Sequence, residues 1–176
     1  MHPSPRHRGS VVLEVLVVLG VVAVLAVAVF GALRRTTTAS WDSRGRRNQC
    51  MSNVRQMTIT VQIYSQDHNG KYPAKDTIWA DVNFPPKTLT CPTYGNSQGN
   101  GYGYNQWVSG KSFSSSGIPS PQSLVLLADS AKPDHLLTAN VDIDPRHLNQ
   151  ATMGYADGHV ALAPPSAAGI ARIGNP

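Results

Sequence analysis

Residues 8–22 read RGSVVLEVLVVLGVV, a stretch that sets one carboxylate, Glu14, at the head of an apolar run. Valine, leucine, alanine, glycine and phenylalanine fill every position from Val15 to Leu33. As a helix rising about 1.5 Å per residue, Ser10–Leu33 is long enough to cross a hydrocarbon core of about 30 Å. A charge in the middle of such a span costs about 3 kcal/mol, somewhat less near the interface. Glu14 therefore needs a reason. A cleavable secretory signal wants a shorter apolar stretch and a small-residue cleavage site, whereas this run leads straight into Arg34-Arg35. A plain membrane anchor fits the length and leaves the acid unexplained.

The chain has 176 residues, room for one such helix and one small domain. Its net charge of +5, with His neutral, invites a nucleic-acid partner, but the placement of the charge argues against one. Arg6 and Arg8 precede the apolar run, Arg34, Arg35, Arg44, Arg46 and Arg47 follow it, and from Asn48 onward acids and bases are close to balanced. A DNA-binding domain concentrates base on its folded part, so the arginines read as membrane-flanking and no nucleic acid is expected. Because they lie on both sides, the positive-inside count does not fix topology. The short segment before the span favours a cytoplasmic N-terminus and an exported body.

The pattern Gly9-Ser10-Val11-Val12-Leu13-Glu14 resembles the processing site of type IV pilins and type II secretion pseudopilins. In that family a basic leader is cut after a glycine, the new N-terminus is usually methylated, and a glutamate stands fifth in the mature chain. The resemblance implies a cut between Gly9 and Ser10, which makes Glu14 fifth; the family most often has phenylalanine where this chain has Ser10. Cleavage would leave an ammonium group on Ser10, just over one helical turn from Glu14. In low dielectric either charge alone is costly, so pairing between the amine of one subunit and the glutamate of the next would set an axial register. Glu14 is then a registry device and not a catalyst.

Residues 34–47, RRTTTASWDSRGRR, are polar and threonine-rich, a poor isolated helix that leaves continuation, bending or melting open. Periodicity returns with Cys50, Val54, Met57, Val61, Tyr64 and His68, spaced as one helix face, with Ile59 and Ile63 expected to widen it. Asn69-Gly70 supplies a left-handed stop. The stretch CMSNVRQMTITVQIYSQDHNGKYP resembles a pilin-like subfamily with a Cys-x-x-Asn opening, a Tyr-x-x-Asp and a Gly-x-Tyr-Pro exit. LTCPTYGNSQGNGYGYNQW resembles its Cys-Pro loop and Tyr-Gly-Tyr-Asn segment. Together these matches span most of the chain in the expected order.

From Lys71 to Ser123 the composition predicts a long irregular connection pinned by Trp79, Phe84, Tyr102, Tyr104 and Trp107. Cys50 and Cys91 are either two buried thiols or a bridge, and an exported location favours the bridge. Ser123-LVLLAD-Ser130 reads as a buried strand, and ATMGYA-Asp157-Gly158-HVALA as a hairpin. His147, nine intervening residues and Asp157-Gly158 match the signature of the same prepilin subfamily. The simplest reading has Asp157-Gly158 making the turn and His147 tying a preceding loop to the hairpin. Adding Asp129, Asp134, His135, Asp142, Asp144 and His159 allows a metal to be imagined, and calcium is the ion for which the resemblance offers support. No nucleophile motif occurs, and no enzyme is expected.

These readings give an α+β protein: a leader at 1–9, a membrane-spanning helix half at 10–33, an amphipathic continuation at 34–70, and a head at 71–176 with an antiparallel sheet. The resemblance implies cleavage by a prepilin peptidase, residence in the inner membrane among its lipids with the head exported, handling by pilus or secretion machinery, and self-assembly into an extracytoplasmic filament. One rival is a membrane-anchored binding module, calcium-dependent or not, that never polymerises. Another is a metal-dependent enzyme built on His147 and Asp157.

Overall fold

The computed structural model describes residues 8–94, 101–115 and 120–166. Most of the expected leader, including Arg6, lies outside them, as do the centre of the Cys-Pro loop and the last ten residues. The chain divides into two compact units, Met1–Ser43 and Arg44–Pro176.

The first unit holds the start of helix α1, assigned from Arg8 to Asp67. The threonine-rich stretch whose conformation the sequence left open is therefore helical. Within α1, Val12–Leu33 is long and apolar enough to cross a membrane. Its large apolar side chains are all exposed, from 52% at Val15 to 74% at Val27. A helix apolar on every side has no core of its own to enter.

In the second unit the helix changes character. Cys50, Val54, Met57 and Val61 are fully buried, as their three-four spacing predicts. Tyr64 is only half-buried and His68 is exposed, stacked on Tyr64 with ring centroids 3.8 Å apart. Ile59 and Ile63 do not widen the buried face; they are 44% and 52% exposed. Each sits two residues from a buried position, and at 3.6 residues per turn that is about 200° around the axis. The helix stops where expected. Asn69 and Gly70 take positive φ, and the Gly70 N–H donates to Ser65 O at 2.7 Å.

A five-stranded sheet completes the head: β1 Tyr102–Asn105, β2 Val125–Asp129, β3 Leu136–Leu137, β4 Ala151–Tyr155 and β5 Val160–Ala163, in the order β3-β1-β2-β4-β5. Three neighbouring pairs are antiparallel, but β1 and β3 run parallel, so the sheet is mixed where an antiparallel one was expected. The short connection after β2 skips over the start of β1 and lays β3 on its far edge. β2 and the β4–β5 hairpin fall where the apolar runs and Asp-Gly put them.

The expected irregular connection is broken by α2 Ile78–Asp81, by several single 3-10 turns and by β1. Of its predicted pins, Phe84, Tyr102 and Tyr104 are buried and the two tryptophans partly so. Tyr102 and Tyr104 share the helix-side core with Val54, Met57 and Leu126. Between them, a Cβ on Gly103 would lie 2.7 Å from Leu137 Cδ2, so only glycine lets β3 approach. On β4, Ala151, Met153 and Tyr155 enter the second core cluster with Ala128 and Ile143. Gly154 faces the other way, and a Cβ there would meet Val54 Cγ1 at 3.0 Å and overlap Thr58 Oγ1.

Candidate functional site

Two features offer function, one in each unit. The first is Glu14 on α1, the one acid within Val12–Leu33, where it and the apolar residues around it are exposed. Gly9 and Ser10 belong to the helical backbone of α1, and the Ser10 side chain lies outside what is described.

The second is a polar node beneath the cystine. Cys50 of α1 and Cys91 of the following loop form a disulfide with Cα atoms 5.3 Å apart, well inside the usual range. Asn53, one turn on, holds the same loop: its Nδ2 donates to Thr90 O at 2.9 Å and to the Tyr102 hydroxyl at 3.2 Å. The Cys-x-x-Asn opening thus has a physical meaning, a covalent and a hydrogen-bonded tether from one helix face. Burial pushes the Tyr102 hydroxyl pKa far up; Asn53 opposes that, the Asp129 charge adds to it, and Arg146 opposes it.

Beside the cystine lies His147, 4% exposed, with Nε2 4.0 Å from Cys91 Sγ and 3.3 Å from Asp129 Oδ2. Asp129 ends β2 and is wholly buried. Its Oδ2 accepts the Thr152 N–H of β4 at 2.6 Å, extending the β2–β4 ladder by a side chain, while Oδ1 has no partner among the described residues. Arg146 lies over the Tyr94 ring at 4.3 Å and pairs with Asp144 at 3.0 Å.

His147 and Asp157 are not brought together. They flank β4 at opposite ends, and the nine-residue spacing measures one tight turn plus that strand. His147 and Gln150 exchange backbone hydrogen bonds of 2.9 and 3.1 Å around Leu148 and Asn149, both at positive φ. At the far end Asp157 accepts from the His159 backbone and ring, and Gly158 turns the chain at φ +92. Burial pushes the Asp157 carboxyl up, and the bonds and charge of His159 outweigh it, leaving it below its ordinary value. His147 thus ties the disulfide loop to β2, and not to the hairpin turn. The hairpin is held instead by α1, through Gln62 Nε2 donating to Ala156 O at 2.6 Å.

Of the remaining carboxylates considered for a metal, Asp134 and Asp142 share the Lys132 ammonium, at 3.4 Å each, and each also fixes local backbone. Asp142 Oδ2 accepts Thr138 N, Thr138 Oγ1 and Ala139 N at 2.7, 2.6 and 3.0 Å. Asp134 takes Leu136 N, and Asp144 takes Arg146. His135 packs edge-on to Trp79 with centroids 6.0 Å apart, and burial lowers its pKa against the pull of Asp134.

Sequence reasoning named Cys50, Cys91 and His147, and the fold gathers all three. It missed Asn53 and Arg146 as members of the node, and the placement of Asp129. An acid closing the five-residue apolar run LVLLA was the available signal. No family model matches the chain, and no curated protein or solved structure matches it either.

Proposed function

We propose that the chain is a pilin-like structural subunit, cut by a prepilin peptidase between Gly9 and Ser10, which polymerises through α1 into a type IV pilus or type II secretion pseudopilus. Before assembly the first half of α1 spans the inner membrane, with the head exported. The observation that carries this reading is Glu14: an acid four residues beyond Ser10, at the head of a span whose other side chains are apolar and exposed. A span with nothing of its own to pack on needs lipid or other helices. An acid within it is tolerated best where a neighbour's terminal ammonium can meet it. The α+β layout of a long helix followed by a small sheet is the layout such subunits use, and a cystine tying helix to loop suits an oxidising compartment.

Mass spectrometry of the mature N-terminus tests the reading, with Ser10 expected as its first residue. An uncut chain, or a cut elsewhere, sinks it. Glu14→Val should leave the protein membrane-inserted and abolish filaments seen by electron microscopy; a membrane-anchored binding module would be indifferent to that change.

A further inference from the structure

We infer that the cystine, His147 and Asp129 are the donors of a latent zinc-type metal site, opened when the Cys50–Cys91 bridge is reduced. The Cys50 and Cys91 sulfurs and a His147 ring nitrogen lie within 4.8 Å of one another. The Asp129 carboxylate lies outside that group of three but 3.3 Å from His147 Nε2, where a small shift toward the sulfurs would make it a fourth donor. All four side chains are buried, none more than 4% exposed, and one oxygen of Asp129 has no partner among the described residues. Tetrahedral zinc, with bonds of about 2.0–2.3 Å, holds its donors about 3.3–3.8 Å apart. Of the six donor pairs, Cys91–His147 at 4.0 Å and His147–Asp129 at 3.3 Å are already within about 1 Å of that geometry, and the sulfurs and Asp129 have to rearrange around His147 once the bridge opens.

While the bridge is closed its sulfurs carry no ionisable thiol and cannot ligate. A dithiol reductant attacks one sulfur, forms a mixed disulfide, and leaves as its own cyclic disulfide. Two electrons and two protons pass to the protein as two thiols. A divalent ion then displaces both thiol protons, and two thiolates, a neutral imidazole and a carboxylate surround it with a net charge of −1. The guanidinium of Arg146, next in the chain to His147, is buried and paired with Asp144 at 3.0 Å. The site belongs to the head and stands whether or not the chain polymerises.

Cobalt titration of the full chain in detergent micelles tests this, after reduction with a phosphine that does not compete for metal. The reduced protein should take up one equivalent of Co2+, with visible bands of tetrahedral cobalt and a near-ultraviolet thiolate charge-transfer band, and yield it to Zn2+. The oxidised protein should show neither band. Asp129→Asn and His147→Gln should each weaken binding by about tenfold or more, and Cys50→Ser with Cys91→Ser should abolish it. Near-ultraviolet circular dichroism reports whether the head stays folded. The proposal is overturned if reduced protein binds no cobalt, if His147→Gln binds it unchanged, or if uptake occurs only in chains whose head has lost its dichroism.

Discussion

At the scale of single residues, the tightest constraints are set where a side chain is missing. Gly154 lets α1 lie on β4, and a methyl group there overlaps Thr58 Oγ1 and presses on Val54. Gly154→Ala should destabilise the head by about 1–3 kcal/mol in urea unfolding, the range expected of overpacking. Thr58→Ala introduced beside it should recover part of that loss, since it removes the overlapping hydroxyl. Asp142 gives a constraint of the opposite kind. Burial pushes its carboxyl up, but hydrogen bonds from Thr138 and Ala139 and the charge of Lys132 bring it below its ordinary value. A depressed folded value means that its stabilisation is complete above the unfolded pKa of about 3.9 and is lost as pH falls through the folded one. Asp142→Asn should therefore cost about 1–2 kcal/mol at neutral pH and less in acid. Unfolding curves between about pH 2 and 7 would show the two proteins converging at the low end.

Elements carry the next constraint, and α1 shows it in two halves with different solvents. Val12–Leu33 exposes apolar residues all round, whereas Cys50–Val61 buries one stripe against the sheet. The full chain should stay dispersed only in detergent or lipid, and sedimentation after detergent removal should find it aggregated. The turn entering β4 carries backbone strain. Leu148 holds φ 55 while its side chain is 85% exposed, so it bears a left-handed backbone with no packing in return. Leu148→Asn should stabilise the head by about 0.5–1 kcal/mol, readable as a higher denaturation midpoint. A lower midpoint would mean that the leucine makes a contact in the native protein beyond this chain.

Across the whole molecule, the covalent tie between α1 and the loop at Cys91 organises the head. It closes a separation of 41 residues, and in the chain-entropy model such a loop is worth about 4 kcal/mol. Reduction in chelator-treated buffer should lower head stability by about that amount, measured from guanidinium midpoints of oxidised and reduced protein. Added zinc should return part of it if the latent site fills. The cystine was legible because two cysteines fell on a helix and a loop of an expected exported domain. The node around it was less so: Asp129 entered only within a strand and among several imagined metal ligands, and Arg146 drew no reading.

The sequence alone determined what one-dimensional pattern can carry. The apolar span with its single acid, the stripe from Cys50 to Val61, the Asn-Gly stop, β2 and the Asp-Gly hairpin all follow from local periodicity and turn chemistry. Only the tertiary structure decided that Tyr102–Asn105 is an interior strand, that β3 joins it in parallel, and that His147 faces Asp129 and the cystine instead of Asp157. A four-residue strand with glycine inside it has no period to detect. A buried histidine's partner is fixed by which strands lie side by side, and that is a property of packing between segments far apart in the chain.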